Sequence, residues 1–317
     1  MDMPLLTSMI VKHAAVWHGD VEIVTHRVEG DMHRYTYADA YKRTCRLANA
    51  LKRLGIRPGD RVGTMAWTTY RHLELYYAIG GSGAVIHTIN PRLFHDQIEY
   101  IINHAKDRVM FLDTTWVEMM EGMQDKCPTI EKFIILCDSG KMPKTTLRNA
   151  VCFEDLLAAE DDTFDWPEFD EKTAVALCYT SGTTGNPKGV LYTHRGMVLH
   201  AIAGTSSDHP LCISSRTVLL PAVSMFHVHG WMAPYAAPIS GTKLVLPGPN
   251  MHGDNICRLL EEEKVTVTAG VPTIWIDVLQ HLKKTGGRLD TLEICNIGGS
   301  APSISMIKTF EEEYDVH

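Results

Sequence analysis

The sequence has no basic tract and no long apolar run. Its formal net charge is −8, and surfaces that bind nucleic acid need clustered Lys and Arg, so we expect no nucleic-acid partner. No segment offers the roughly 20 apolar residues of a membrane span, so no stable membrane insertion is expected. The first residues, MDMPLLTSMIVKHAAVW, lack a basic start and a sustained apolar segment, and no signal peptide is predicted.

Paired cysteines are also missing. The eight cysteines are scattered along the chain without a CxxC pair, which favours reduced thiols that mostly pack in the core. Of the 317 residues, 45% are hydrophobic and 21% are charged, which is an ordinary globular composition with enough chain for a large core. We therefore predict a soluble, cytoplasmic protein.

Helical and strand patterns alternate along the chain. YADAYKRTCRLANALKRLGI and HDQIEYIINHA are helix-like, and RVGTMA and RVMFLD are short strand-like runs. Such alternation with short connections predicts an α/β fold with parallel, doubly wound sheets. The segment 160–171 carries seven acidic residues and no Lys or Arg. We interpret it as a surface linker between one α/β subdomain at 1–165 and a second at 166–317.

The loop YTSGTTGNPKG at 179–189 follows the predicted strand AVALCYT and precedes the strand-like VLYTH. Its glycines and hydroxyl side chains leave backbone N–H groups accessible, and its lysine adds positive charge, which is the environment that phosphate oxygens need. A mobile linker is the alternative, but the position between two strands and the Pro-Lys-Gly end favour phosphate binding.

Two named phosphate motifs do not fit this loop. A Walker A loop that begins at Gly182 needs glycine where Pro187 stands and Ser or Thr where Gly189 stands. The nearest approach to a dinucleotide-binding fingerprint, GGSGAVI, lacks the last glycine and precedes a strand instead of following one.

The loop does match, at every position, the phosphate-binding signature S/T-G-S/T-T-G-x-P-K-G of the adenylate-forming superfamily. Six further motifs occur in the order and spacing of that family: NPRL (90–93), THRG (193–196), MFHVHGW (225–231), LPGP (246–249), AGVPTIW (269–275) and GGSAP (298–302). Over nearly all of its length, the chain resembles the N-terminal portion of a medium- or long-chain fatty-acid–CoA ligase.

The resemblance implies the large N-terminal domain of an adenylate-forming enzyme, in which two doubly wound α/β subdomains meet at a cleft and a distorted β-barrel completes it. It implies ATP-dependent activation of a medium- or long-chain fatty acid, or of a similar short aliphatic acid, to acyl-AMP and then acyl-CoA, with release of pyrophosphate. ATP, Mg²⁺ and CoA are therefore the expected cofactors and co-substrates. Homodimers are common among similar enzymes. The acyl chain length is not readable from these motifs.

The resemblance also implies roles for individual residues. The residues assigned to the ATP phosphates are Thr180, Ser181, Gly182, Thr183, Thr184, Gly185 and Lys188. Thr180 is also expected to supply a hydroxyl ligand to Mg²⁺. The catalytic set is Lys188 and His227, with His227 beside the reacting carboxylate and the α-phosphate. The residues assigned to adenine and ribose are Gly299, Ser300, Ala301 and Pro302, for which a plain strand-to-helix turn is the alternative.

The acyl substrate is assigned to His227, Trp231, Val271, Pro272 and Trp275. Ordinary core packing is the alternative for Trp231, and an apolar helical stripe is the alternative for the last three. His229 invites a zinc site together with His227, but no Cys or Glu cluster completes a ligand set. Amino-acid-activating relatives carry Asp where His227 stands, which disfavours an amino-acid substrate.

The sequence ends at FEEEYDVH, before the Y-G-x-T-E motif of the family, its ribose-binding Asp and its C-terminal domain with a catalytic Lys. We therefore expect a truncated portion of a longer chain, with negligible ligase activity on its own. Three alternatives stay open: an aryl-acid–CoA ligase, a non-catalytic module that binds a nucleotide or an acyl ligand, and an α/β scaffold for protein interaction.

Overall fold

Two open β-sheets with packed helices form the protein in this computed structural model, which describes residues 3–180 and 186–317. The strands are β1 Glu22–His26, β2 Met32–Thr36, β3 Arg61–Met65, β4 Val85–Thr88, β5 Val109–Asp113, β6 Lys132–Leu136, β7 Val151–Cys152, β8 Ala174–Thr180, β9 Lys188–Thr193, β10 Val218–Ala222, β11 Lys243–Leu246, β12 Val267–Gly270 and β13 Ile294–Ile297. The α-helices are α1 Thr7–Trp17, α2 Tyr37–Arg53, α3 Tyr70–Gly81, α4 His95–Ala105, α5 Val117–Glu121, α6 Phe153–Ala158, α7 His194–Gly204, α8 Ala233–Ser240, α9 Gly253–Glu262, α10 Pro272–Thr285 and α11 Ile304–Lys308. Over the described ranges, none of these helices is both long enough and apolar enough to cross a membrane.

The sheets are mostly parallel. One has seven strands in the order β7-β6-β5-β3-β4-β8-β9, and the other has six in the order β13-β12-β10-β11-β1-β2. Neighbouring strands are parallel except in the edge pairs β8–β9 and β1–β2, which are antiparallel. The α/β class predicted from the sequence is confirmed. Within residues 3–180 and 186–317 neither sheet closes into a barrel.

The two sheets exchange strands across the chain. β1 and β2 lie near the N-terminus but belong to the six-stranded sheet, whose other strands all follow residue 217. Conversely, β8 and β9 lie after the acidic segment but extend the seven-stranded sheet of β3 to β7. The sheets therefore divide the chain differently from the linear division at residues 165 and 166, which stays a prediction about domains.

The acidic segment 160–171 is fastened to the helices beside it. The indole N–H of Trp166 donates a hydrogen bond to the Tyr41 hydroxyl at 3.2 Å. The Asn49 side chain donates to the backbone carbonyls of Asp161 and Thr163, both at 2.9 Å. Both Tyr41 and Asn49 belong to α2, so these bonds hold the segment along that helix.

Helix α3 is buried along its whole length and contacts strands of both sheets. A helix without an exposed face carries ionisable side chains only where they find partners. Glu74 accepts a hydrogen bond from Nε of Arg43 at 2.7 Å. The ring nitrogens of His72 contact Thr64 Oγ1 and the Trp67 carbonyl, both at 3.1 Å. Burial lowers the pKa of His72 to about 4, so this ring is neutral at neutral pH.

Arg71 of α3 links the two sheets through ion pairs. Its side chain is 3% exposed and contacts Glu29 at 2.7 Å, Asp138 at 2.5 Å and Glu154 at 3.0 Å. Glu29 lies in the turn between β1 and β2, Asp138 follows β6, and Glu154 lies in α6. The guanidinium therefore joins the edge hairpin of the six-stranded sheet to elements of the seven-stranded sheet.

The variant Arg71→Ala is expected to lower the free energy of unfolding by about 3–5 kcal/mol, because three carboxylates lose one buried partner. The control Arg288→Ala removes an arginine whose pair with Asp290 is exposed, with side-chain exposures of 81% and 67%. We expect that control to leave the free energy of unfolding nearly unchanged, because solvent screens an exposed ion pair. Urea unfolding followed by circular dichroism measures both, and similar effects of the two variants would contradict the linking role of Arg71.

Asp113 ends β5 with a fully buried carboxyl group. Burial raises the pKa of Asp113 from the ordinary 3.8 to about 7. The backbone N–H of Trp67 donates a hydrogen bond to the carboxylate at 2.7 Å and offsets part of that rise. The folded state therefore keeps a proton that the unfolded state releases between about pH 4 and pH 7. In this window Asp113 destabilises the fold increasingly as the pH rises.

The variant Asp113→Asn keeps an acceptor for the Trp67 N–H but cannot ionise. We expect its free energy of unfolding, relative to the parent chain, to improve as the pH rises from about 4 to about 7 and to level off above that. Urea titrations of the variant and the parent chain at several pH values measure this difference. A pH-independent difference for Asp113→Asn would show that the pKa is not raised.

Candidate functional site

A cleft of about 290 Å³ opens at the carboxyl ends of β10, β12 and β13. Strand β11 lies on one side of β10 and β12 lies on the other, so the connections diverge there, and in open α/β sheets ligands bind at such a point. The lining residues are Val223, His227, Val228, Trp231, Ala269, Gly270, Val271, Asn296, Gly298 and Gly299. Apart from one imidazole and one amide, this lining is apolar, which makes the cleft the candidate site for an apolar group.

The loop between β10 and α8 carries His227 and Trp231 into this cleft. Its backbone is anchored from the core at Met225. The Tyr76 hydroxyl of α3 donates a hydrogen bond to the Met225 carbonyl, and Thr68 Oγ1 accepts one from the Met225 N–H at 3.1 Å. His227 itself is exposed, so a ligand in the cleft can reach its ring.

Residues 228–232 all have positive φ, with 46° at Val228, 51° at His229, 64° at Gly230, 45° at Trp231 and 61° at Met232. Such angles are uncommon outside glycine and strained for a β-branched residue. Backbone strain persists where the surroundings fix it, and it is concentrated at functional sites. In this loop, the strained backbone has Val228 and Trp231 lining the cleft and His229 buried.

His229 is a buried neutral ring. Burial lowers its pKa to about 3. It makes edge contacts with Tyr76 and Tyr192, at centroid distances of 6.0 Å and 5.2 Å. Within the described ranges no three His, Cys, Asp or Glu side chains group closely enough to hold a metal ion. The structure therefore gives His229 a packing role beside the exposed His227.

Strands β8 and β9 form an antiparallel hairpin in which Thr180 pairs with Lys188. Both residues are exposed, so a hydroxyl and an ammonium group stand side by side at the end of the hairpin. The edge contact of Tyr192 in β9 with His229 brings this hairpin against the loop of His227. The remaining predicted phosphate residues, Ser181, Gly182, Thr183, Thr184 and Gly185, lie outside the described residues.

The structure separates the residues predicted for the acyl group. Trp231 and Val271 line the cleft, whereas Pro272 is the first residue of α10 and does not. Trp275 is fully buried and packs edge-on against Phe310 at 6.2 Å. It lies behind the cleft wall, since a Cβ built on Gly270 would be 3.1 Å from its ring.

The residues predicted for adenine and ribose leave the cleft at Gly299. The φ of Gly299 is 83°, and a Cβ built there would lie 3.1 Å from Val271, so glycine fits where the chain turns away from β13. Ser300 and Ala301 are exposed and Pro302 is half-buried, and none of the three lines the cleft. They lead directly into α11, which Ser303 caps by accepting a hydrogen bond from the Met306 N–H at 3.2 Å.

The motif NPRL contains Arg92, which the structure places beside the loop of His227. Its guanidinium lies 5.9 Å from the ring centroids of both Trp67 and Phe226, and Phe226 directly precedes His227. Cation–π contact holds an exposed arginine in place at such a distance. The sequence signal was a cation within a shared motif, but its two aromatic partners come from separate segments.

The family model described as "AMP-binding enzyme" matches residues 11–316. A 3-methylmercaptopropionyl-CoA ligase of Ruegeria lacuscaerulensis is 44% identical over all of this chain and 58% of its own length. A medium-chain-fatty-acid–CoA ligase of Ectopseudomonas oleovorans is 42% identical over 98% of this chain and 57% of its own length. Among solved structures, the N-terminal domain of FACL13 from Mycobacterium tuberculosis superposes with a TM-score of 0.83 at 23% identity, over 98% of this chain and 74% of its own.

The chain thus spans a little under three fifths of the length of these curated relatives. The resemblance that the loop and the six motifs indicated is confirmed over nearly the whole chain. The fold agrees with it, as the superposition of the two structures indicates. The chain belongs to the family of AMP-binding enzymes.

Proposed function

We propose that this chain serves in the ATP-dependent activation of an aliphatic carboxylic acid, first to acyl-AMP with release of pyrophosphate and then to acyl-CoA. One observation carries the proposal: the hairpin that presents Thr180 and Lys188 packs against the loop that presents His227 to an apolar cleft. A group suited to phosphate oxygens therefore adjoins a space suited to an acyl chain. The reaction needs both, because the carboxylate must meet the α-phosphate of ATP.

In the first step a carboxylate oxygen attacks the α-phosphorus, the new O–P bond forms, and the bond to pyrophosphate breaks. Neither partner is reactive in itself, so positioning and neutralisation of charge supply most of the rate enhancement. Lys188 holds the β- and γ-phosphates, whose charge grows as pyrophosphate leaves. His227, exposed at the cleft mouth, donates a hydrogen bond to the oxygens around the α-phosphorus. The adenine and ribose lie along Gly299, Ser300, Ala301 and Pro302.

The site also suits Mg²⁺ as a partner of ATP. Mg²⁺ in nucleotide sites takes one or two protein oxygens and completes its octahedron with water and phosphate oxygens. The exposed hydroxyl of Thr180, next to Lys188 in the hairpin, meets this modest requirement without a carboxylate cluster. Thr180 would hold the ion, which would supply positive charge to offset that of the phosphates.

The cleft lining supports an aliphatic acid. Val223, Val228, Trp231 and Val271 supply its apolar walls, and among the described residues the lining includes no carboxylate that could hold an α-ammonium group. The two relatives compared above are named for 3-methylmercaptopropionate and for medium-chain fatty acids, both of which have an unbranched apolar chain. We therefore assign an unbranched aliphatic acid to the site, with Trp231 as the wall that limits its length.

Nucleotide binding by the chain tests the phosphate part of the proposal. Lys188→Ala is expected to weaken ATP binding about 10- to 100-fold, because a charged hydrogen bond contributes about 1.5–3 kcal/mol. Thr180→Ala is expected to weaken it about fivefold, as for the loss of a neutral hydrogen bond. Calorimetric titration with Mg²⁺ and ATP measures both. The control Lys284→Ala removes an exposed lysine from the last turn of α10, and an equal loss there would show that the effect is only one of net charge.

Measurements of turnover test the acid-activation part of the proposal. We expect the full-length protein to catalyse acid-dependent exchange between ATP and pyrophosphate, with a maximum in a series of unbranched acids of graded length. The 317-residue chain alone is expected to bind ATP with negligible acyl-AMP formation, because the resemblance assigns a metal ligand, a ribose ligand and a catalytic lysine to residues after this portion. Fast acyl-AMP formation by the short chain would contradict this. ATP binding without exchange in the full-length protein would favour a non-catalytic binding module.

A further inference from the structure

Tyr179 packs across the hairpin onto Gly189. The two residues face each other in the antiparallel pair of β8 and β9. A Cβ built on Gly189 would lie 3.2 Å from Cζ of Tyr179 and 3.1 Å from the side chain of Leu177. These distances are a few tenths of an ångström shorter than ordinary contacts between carbon atoms, so the phenol ring and Leu177 leave little room for a side chain at position 189.

The Tyr179 ring is held in place at both ends. Its hydroxyl lies 2.7 Å from Nδ1 of His104, in the last turn of α4. Burial raises the pKa of Tyr179 to about 12, so at neutral pH the hydroxyl keeps its proton. On the sheet side, the ring is 5.2 Å from the ring of His87. His87 contacts the Asp107 carboxylate at 2.7 Å, and both side chains are fully buried.

The position of this ring matters for the register of the hairpin. Tyr179 precedes Thr180, and Gly189 follows Lys188, so the pair that the ring covers is adjacent to the pair expected to bind phosphate. A slip of one residue in a strand moves its side chains to the opposite face. Glycine contributes no side chain of its own to fix a register, and an aromatic side chain laid across a strand glycine replaces that missing contact.

We propose that Tyr179 is a positioning residue for phosphate binding: its ring, packed on Gly189 and tethered to His104, fixes the register that sets Thr180 opposite Lys188. This inference rests on the proposed binding of ATP phosphates by those two residues. Tyr179 acts through the backbone and touches no phosphate itself. The role therefore predicts loss of nucleotide affinity without loss of any ligand group.

The test compares Tyr179→Ala and Tyr179→Phe with the control Tyr100→Ala. Tyr100 stacks on His104 at 5.3 Å and lies in α4, outside the hairpin pairs. Three measurements are made on each variant: the dissociation constant for ATP with Mg²⁺, hydrogen exchange of the β9 amides without nucleotide, and the urea midpoint. The first two report on the hairpin, and the third separates its loosening from a general loss of stability.

We expect Tyr179→Ala to weaken ATP binding about tenfold or more and to speed exchange in β9, while exchange in β3, β5 and β6 stays near that of the parent. Tyr179→Phe keeps the ring and loses one hydrogen bond, so its affinity should stay within about threefold. Tyr100→Ala should match the parent in affinity and in β9 exchange. Gly189→Ala should weaken binding in the parent and add less in the Tyr179→Ala background, because one of the two side chains that crowd the new Cβ is then gone.

Two results overturn the inference while leaving the proposed function intact: equal β9 exchange in Tyr179→Ala and Tyr100→Ala, or faster exchange in Tyr179→Ala with unchanged ATP affinity. The second result would mean that Tyr179 stabilises strand β9 but does not position the phosphate-binding pair. Failure of the proposed function looks different, because the parent chain and the full-length protein would then bind no ATP. In that case the positioning role falls with it, whatever the exchange shows.

Discussion

The arrangement of this protein depends on a helix that has no exposed face. Because α3 is buried along its length, its polar groups need partners inside the protein, and those partners belong to both sheets. Arg71 pairs with Glu29 in the β1–β2 turn and with Asp138 after β6, whereas the Tyr76 hydroxyl holds the Met225 carbonyl. If one sheet shifted against the other, the Arg71 guanidinium and the Tyr76 hydroxyl would lose their partners and remain buried. Each buried polar group without a partner raises the free energy of the folded state. The loop of His227 is thus positioned from the core and not only by its own turn.

Local sequence patterns predicted the elements better than their places in the sheets. HDQIEYIINHA coincides with α4 and AVALCYT with β8, because amphipathic spacing and apolar runs are local properties. The membership of β1 and β2 in the later sheet rests on pairing of β1 with β11, and no pattern within VEIVTHRV encodes that partner. The charge of the acidic segment indicates a surface position, but its contacts with α2 join its own Trp166 to Tyr41 and its backbone to Asn49, both of which are far away in sequence.

Local sequence patterns are limited in the same way in what they predict about the candidate site. Shared motifs indicated His227, Trp231 and Val271, and all three line one cleft. Trp275 belongs to the same motif as Val271, yet its ring is buried in the core behind Gly270. Residues four apart share a face only within a helix, and Val271 precedes the first residue of α10. The left-handed run from 228 to 232 was equally hidden, because only one of its five residues is a glycine and the strain is maintained by surrounding contacts.

Lys188 and Gly189, at the end of the loop signature, meet two separate requirements. A glycine in a phosphate loop is usually attributed to close approach of the ligand to the backbone. Gly189 has a nearer cause, since a Cβ built there would lie only 3.2 Å from the Tyr179 ring and 3.1 Å from the Leu177 side chain. Neighbouring residues of a strand point to opposite faces, so Lys188 projects away from the face on which Gly189 receives that ring. At this end of the hairpin, one face of the strand therefore receives the Tyr179 ring, and the other keeps the exposed charge of Lys188. A larger residue at 189 would disturb the first face, and through it the charge on the second.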